Sequence, residues 1–186
     1  MNRLQALFLV LLIGFVALLW LGTGRVVSPS VPSVEKPETQ IARIEKPLII
    51  PVAGVRPDQL TDTFTASRSE GRTHDAIDIM APADTPVLAA ADGQIQKLWQ
   101  SERGGTTIYQ ITSDQKMIFY YAHLARYAEG LTEGKQVRQG EVIAYVGDTG
   151  NAGAGNYHLH FSIATVSDPK RYWEGTNINP YPLLRN

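Results

Sequence analysis

The segment from Tyr157 to Ile163 reads Tyr-His-Leu-His-Phe-Ser-Ile, in which polar and apolar side chains alternate strictly. Successive side chains of a β-strand point to opposite faces, so this pattern predicts a strand with one face buried. Leu159, Phe161 and Ile163 would lie on the core face, and both histidines, His158 and His160, on the other. A helix would splay the two histidines apart. The segment therefore predicts a sheet that presents two imidazoles side by side.

The rest of the chain beyond Pro51 also reads as short strands joined by turns such as Asp92-Gly93 and Ser113-Asp114. The predicted strands are Pro86–Ala90, Gln94–Trp99, Thr106–Thr112, Met117–His123, Val142–Val146 and Tyr157–Ala164. Helical periodicity is weak, and its best candidate is Leu124–Leu131. We expect an all-β domain of antiparallel strands, folded as a sandwich or an open barrel.

The chain contains 4 histidines and no cysteine, so a transition-metal site would need histidine and carboxylate ligands. His74 and Asp78 are four positions apart, which brings their side chains to the same side of a strand or a helix. Pro82 and Pro86 argue against the helix.

Catalytic zinc requires three protein ligands and one open position. His74, Asp78 and one member of the His158/His160 pair can supply the three ligands. The other member of the pair, together with His123, would remain near the metal as proton carriers. A single histidine near a strand end is more often structural, but the joint pattern favours a site.

These residues stand in motifs that resemble the lysostaphin-type (LytM-like) zinc endopeptidases of bacterial cell walls. The resemblance covers roughly residues 50–186, and its motifs follow in the family's order. They are Gly71–Ile79 with its His-x-x-x-Asp, Ala81-Pro82, Thr85-Pro86-Val87, Tyr121-Ala122-His123-Leu124, Gly140–Ala144, Gly147–Asn151, His158-Leu159-His160-Phe161, Trp173–Thr176 and Asn179-Pro180.

The resemblance implies the family's fold, a duplicated hybrid motif, and one zinc ion held by His74, Asp78 and His160. It implies that His123 and His158 are the catalytic pair, without showing which of them is the general base. The implied function is hydrolysis of the peptide cross-links of peptidoglycan, with peptide stems as substrate. Zinc would polarise the scissile carbonyl and activate water at neutral pH.

Three positions depart from the family's usual residues: Ala76, Ala152 and Tyr157 stand where Gly, Ser and Pro are common. None of these departures removes a ligand, so they bear on substrate specificity rather than on catalysis. The glycine-rich segment Gly147–Gly155 lacks the ending of a phosphate-binding loop, and we expect it at the mouth of the substrate groove.

The amino-terminal region is predicted to be a membrane anchor, with a cleaved signal peptide as the alternative, followed by a linker. Residues 4–24 carry no charge and would form a helix about 31 Å long, close to the roughly 30 Å hydrocarbon core of a bilayer. Prolines dominate the following stretch, which is typical of an extended linker. The expected organisation is an anchor at 1–24, a linker at 25–47 and a peptidase domain at 48–186. The implied location is the cytoplasmic (inner) membrane, crossed once, with the domain in the periplasm.

Other functions fit less well. The net charge of -1 gives no basic field for nucleic acid. A biotinyl- or lipoyl-type carrier module would need an attachment lysine at its turn, which is missing. The remaining alternative is a non-catalytic LytM-like domain that binds peptidoglycan or activates a cell-wall amidase. Since wall cleavage must be restrained, a regulatory protein partner is also conceivable, but the sequence identifies none.

Overall fold

The structure, a computed structural model, describes residues 46–185. These residues form one antiparallel sheet of 9 strands with only short helical segments. The strands are β1 (Ile77–Met80), β2 (Pro86–Leu88), β3 (Gly93–Ser101), β4 (Gly105–Thr112), β5 (Met117–Tyr127), β6 (Gln136–Val137), β7 (Val142–Val146), β8 (His158–Thr165) and β9 (Thr176–Ile178). Short 3-10 segments cover Pro57–Gln59, Ser69–Gly71 and Pro169–Glu174, and one α-helical turn, α1, covers Tyr181–Leu184.

The strands are arranged as a row and a ribbon. The row has the order β1-β8-β5-β4-β3-β6, and β9 adds to β8. The ribbon consists of β2 and β7. Strand β5 joins the two, because its first part pairs with β4 and β8, whereas its last part pairs with β7.

The core lies between the row and the ribbon. Fully buried side chains of β1, β5 and β8 form one cluster with Val87 of β2 and Ile143 and Val146 of β7. On β8, Leu159, Phe161 and Ile163 belong to this cluster, as the alternation predicted. The opposite face of the row carries a smaller buried cluster of Ile111, Ile118, Ala164 and Val166, and the candidate site also lies on this face.

The structure confirms the antiparallel β architecture, and it corrects one element. Leu124–Leu131 is not a helix, because β5 continues to Tyr127 and pairs with β7. Leu124 is fully buried opposite Val146. Pairing with a neighbouring strand outweighs the weak helical spacing of this segment. The short strands β1, β6 and β9 were not predicted.

The predicted anchor and nearly all of the predicted linker lie outside the described residues. Within residues 46–185, the structure contains no helix that is long and apolar enough to cross a membrane.

The buried face of β8 should dominate the stability of the domain. Phe161 is fully buried, and its ring lies 5.1 Å from that of Tyr121 and 6.0 Å from that of Phe119, measured between centroids. We expect Phe161→Ala to lower the free energy of unfolding by about 3–5 kcal/mol, because a large cavity opens in the core. Urea unfolding followed by circular dichroism measures this change.

Trp173→Ala provides the control, because Trp173 is 63% exposed. Its effect should stay within about 0.5 kcal/mol. Equal effects of the two substitutions would contradict the placement of the core.

Candidate metal centre

Three side chains converge on one point at the face of the sheet that lies opposite the main core. Asp78 of β1 is the cross-strand neighbour of His160 on β8, and His74 lies just before β1. His74 Nε2 lies 2.9 Å from His160 Nδ1 and 3.0 Å from Asp78 Oδ1. His160 Nδ1 lies 3.2 Å from the same Asp78 oxygen. The three atoms thus form a nearly regular triangle.

The triangle has the dimensions that a small transition-metal ion requires. Metal bonds of about 2.0–2.1 Å at the tetrahedral angle place their ligand atoms about 3.3–3.4 Å apart. The measured separations of 2.9, 3.0 and 3.2 Å are only slightly smaller. Two imidazole nitrogens and one carboxylate oxygen are also the donor types that zinc accepts. The residues present therefore fit the implied metal.

The two remaining histidines stand beside the triangle. The ring of His158 lies 4.8 Å from that of His123, and the ring of His123 lies 5.6 Å from that of His160, measured between centroids. His158 Nε2 is 3.8 Å from Asp78 Oδ1, so it borders the triangle without completing it. The structure thus brings together all five residues named from the sequence: His74, Asp78, His123, His158 and His160.

Backbone carbonyls fix which ring nitrogen of three histidines carries the proton. The Nδ1 atoms of His74, His123 and His158 lie 2.9, 2.8 and 2.8 Å from the carbonyl oxygens of Thr63, Thr149 and Asn156. A carbonyl oxygen only accepts, so each Nδ1 must donate. In the neutral ring, Nε2 then has a lone pair directed into the site. Such a carbonyl contact commonly orients a metal ligand from its far side.

Burial and contacts within the site shift the pKa values of two imidazoles and of the carboxylate. Desolvation lowers the pKa of His123 to about 4 and also lowers that of His160. Burial alone would raise the pKa of Asp78, but its contacts with the imidazoles of His160 and His74 lower it well below its usual range. At neutral pH these shifts leave Asp78 as a carboxylate and the rings of His123 and His160 neutral, which are the protonation states that metal ligation and proton acceptance need.

A β-bulge turns His123 toward the site. On β5, Phe119 and Tyr121 face the core, so a regular strand would bury His123 in the core as well. The pairing shifts register there, since Ile108 pairs with Tyr121 but Thr106 with Leu124. His123 takes a φ of 61°, and its side chain lines the cleft instead. Extra residues of this kind re-aim side chains next to functional sites.

Hydrogen bonds from Thr149 join the Gly147–Gly155 segment to the strands next to His123. Thr149 accepts from His123 through its carbonyl, and its hydroxyl donates to Leu124 O at 2.8 Å and accepts from Thr106 N at 3.0 Å. Gly105 has a φ of +64°, and a Cβ there would collide with Thr149. Glycine is required at this position for both reasons. The Gly147–Gly155 segment was expected at the mouth of the groove, and its residues Asn151 and Ala152 do line the cleft.

Sequence reasoning missed the residues that hold the ligands in place. Thr63 accepts from His74 through its carbonyl and from Asp78 N, at 3.1 Å, through its hydroxyl. Arg68 donates to Asp78 Oδ2 at 2.6 Å. Carbonyl contacts such as those of Thr149 and Asn156 leave no mark in a sequence, because every residue has a carbonyl. Arg68 is a charged side chain ten positions before Asp78, but no motif in the sequence links the two.

Residues 72–180 match the model of the family described as "Peptidase family M23". Two similar curated proteins are the glycyl-glycine endopeptidase ALE-1 of Staphylococcus capitis and the peptidoglycan DD-endopeptidase ShyC of Vibrio cholerae. ALE-1 is 31% identical over 117 residues, which cover 62% of this chain and 30% of ALE-1. ShyC is 32% identical over 92 residues, which cover 50% of this chain and 21% of ShyC. The chain thus spans less than a third of either relative.

Among solved structures, the antimicrobial peptidase lysostaphin from Staphylococcus simulans superposes with a TM-score of 0.56 at 26% identity. The match covers 68% of this chain and 49% of that one. The lysostaphin-type fold predicted from the sequence is therefore confirmed.

Metal content should separate the two histidines of β8. We expect about one zinc or similar ion per chain for the full-length protein and for His158→Ala, but little for His160→Ala. His160 Nδ1 is part of the triangle, whereas His158 only borders it. Elemental analysis by mass spectrometry after dialysis against metal-free buffer gives the ratio. Retention of metal by His160→Ala with loss in His158→Ala would reverse the assignment.

Proposed function

The chain belongs to peptidase family M23, and from this premise we propose that it is a zinc-dependent endopeptidase that hydrolyses peptide cross-links of peptidoglycan. One observation carries the proposal. Three ligand atoms converge within 3.2 Å of one another, and two further histidines, His123 and His158, lie beside them. A structural zinc site would normally use a fourth protein ligand. Three ligands with neighbouring proton carriers suit hydrolysis.

His74, Asp78 and His160 would hold the ion, and zinc, when bound, supplies a Lewis acid for a carbonyl and for water. His123 and His158 supply the proton transfers. Each has Nδ1 engaged by a carbonyl, so Nε2 is the acceptor, and one of the two rings takes a proton from the attacking water and later returns it to the leaving amine. The pKa of His123, lowered to about 4 by burial, keeps that ring neutral and ready to accept.

The cleft suits a carboxylate-bearing peptide. It has a volume of about 400 Å³, within the usual size of substrate sites, roughly 300–1,000 Å³. Arg72 and Arg103 line it, in addition to Arg68, which is bonded to Asp78. Guanidinium groups bind carboxylates well, and peptidoglycan stem peptides carry several carboxylates. The names of the relatives ALE-1 and ShyC, a glycyl-glycine endopeptidase and a peptidoglycan DD-endopeptidase, support the same class of substrate.

The location follows from the substrate. Peptidoglycan lies outside the cytoplasmic membrane, so we propose that the domain is periplasmic. Residues 4–24 would then hold it at the inner membrane, because their uncharged run is long enough to span it.

The test is digestion of purified sacculi by the full-length chain, followed by mass spectrometry of the released muropeptides. We expect cross-linked dimers to fall and monomers to rise, and a chelator to stop the reaction. His158→Ala should retain metal, yet its cleavage rate should fall by about 10²–10⁴-fold, because a proton carrier is missing. His160→Ala should lose both metal and rate.

Ser162→Ala serves as the matched control, because Ser162 is the next residue of β8 on the same face. It should cleave at the wild-type rate. A folded wild-type chain that binds metal and sacculi but cleaves nothing would contradict the enzyme proposal. The non-catalytic reading would then predict that the chain stimulates a purified cell-wall amidase.

A further inference from the structure

The two oxygens of the Asp78 carboxylate serve different partners. Oδ1 faces the ligand nitrogens, at 3.0 Å from His74 Nε2 and 3.2 Å from His160 Nδ1. Oδ2 accepts from Arg68 Nη2 at 2.6 Å. The Asp78 side chain is 21% exposed and that of Arg68 is 37% exposed, and both residues line the cleft. A charge-assisted bond of this length is among the stronger hydrogen bonds in proteins.

The backbone around Arg68 is held by its own hydrogen bonds. Arg68 N donates to Arg72 O at 2.9 Å, and Ser67 pairs with Thr73 in an isolated bridge. His74 N donates to Ala66 O at 2.9 Å, which closes the same hairpin. The hairpin therefore carries one ligand of the triangle, His74, and also the guanidinium of Arg68, which donates to another ligand, Asp78. Two ligands from different elements are thus tied together.

A carboxylate can bind a metal through one oxygen or through both. With Oδ2 bound to a guanidinium, only Oδ1 is directed at the triangle. We propose that Arg68 is a positioning residue that restricts Asp78 to ligation through one oxygen, which keeps a coordination position open for water and substrate. This inference rests on the metal site of the proposed function. Arg68 itself does not touch the reacting atoms.

A different role for Arg68 would be that of a countercharge, which neutralises Asp78 only while no metal is bound. The two roles predict opposite results. Removal of a mere countercharge leaves the coordination unchanged and strengthens metal binding, since a competing cation is gone. Removal of a positioning group releases Oδ2 toward the metal and weakens metal binding. Loss of a group that orients a ligand typically lowers metal affinity by about 10–100-fold.

The experiment loads the full-length chain with Co²⁺ and records its visible absorption, which is intense for four-coordinate cobalt and weak for higher coordination. Chelator competition gives the affinity. In Arg68→Ala we expect the absorption to weaken as Asp78 binds through both oxygens, and the affinity to fall about tenfold. Arg68→Lys keeps a cationic donor near Oδ2 and should restore part of both signals.

Arg126→Ala is the matched control, because Arg126 also pairs with an aspartate, Asp84, but is not part of the cleft lining. It should give the wild-type spectrum and affinity. Circular dichroism checks folding, and Arg68→Lys decides the matter if Arg68→Ala does not fold.

An unchanged spectrum in Arg68→Ala, or tighter metal binding, overturns the inference. These readouts need no peptidase activity, so the inference can fail while the enzyme proposal stands. A wild-type chain that binds no Co²⁺ overturns both, because Arg68 would have no metal ligand to position.

Discussion

The register between β1, β8 and β5 is the constraint on which the site depends. His160 lies between Asp78 on one neighbouring strand and Ala122 on the other. A shift of one residue in either pairing would send His160 to the core face and a core residue to the cleft. The register is held by the buried face of the same strands, where Ile77, Phe161 and Tyr121 pair across the sheet. The packing that stabilises the fold therefore also sets the positions of the ligands.

Around this register, backbone groups supply most of the precision. The carbonyls of Thr63, Thr149 and Asn156 each hold one imidazole by Nδ1. Since these carbonyls belong to loops that are themselves hydrogen-bonded, the rings are oriented before any substrate arrives, which is what a preorganised site requires. Burial then supplies the electrostatics. It lowers the pKa values of His123 and His160, while contacts with the rings of His160 and His74 lower that of Asp78. Fold and protonation state are thus two results of the same packing.

The sequence predicted the parts of this arrangement that obey a simple period. The alternation in Tyr157–Ile163 predicted the strand and placed both of its histidines on the polar face, and the motifs predicted the fold. The sequence was less informative where the backbone departs from the regular alternation of a strand. His123 follows two core residues of β5 at alternating positions, so periodicity alone would bury it, and only the bulge turns it outward. The segment after His123 was wrongly predicted to be helical. Its pairing with β7 is a long-range contact, which local periodicity does not reveal. Arg68 was missed because no motif links it to Asp78.

The central claim is that His74, Asp78 and His160 make a three-ligand metal site with an open position. Zinc K-edge X-ray absorption of the full-length, zinc-loaded chain tests it most directly. The account predicts about two imidazole nitrogens and two oxygens at roughly 2.0–2.1 Å, one oxygen from the carboxylate and one exchangeable. Three or more imidazoles, or a shell closed by four protein ligands, would show a structural site and contradict the account.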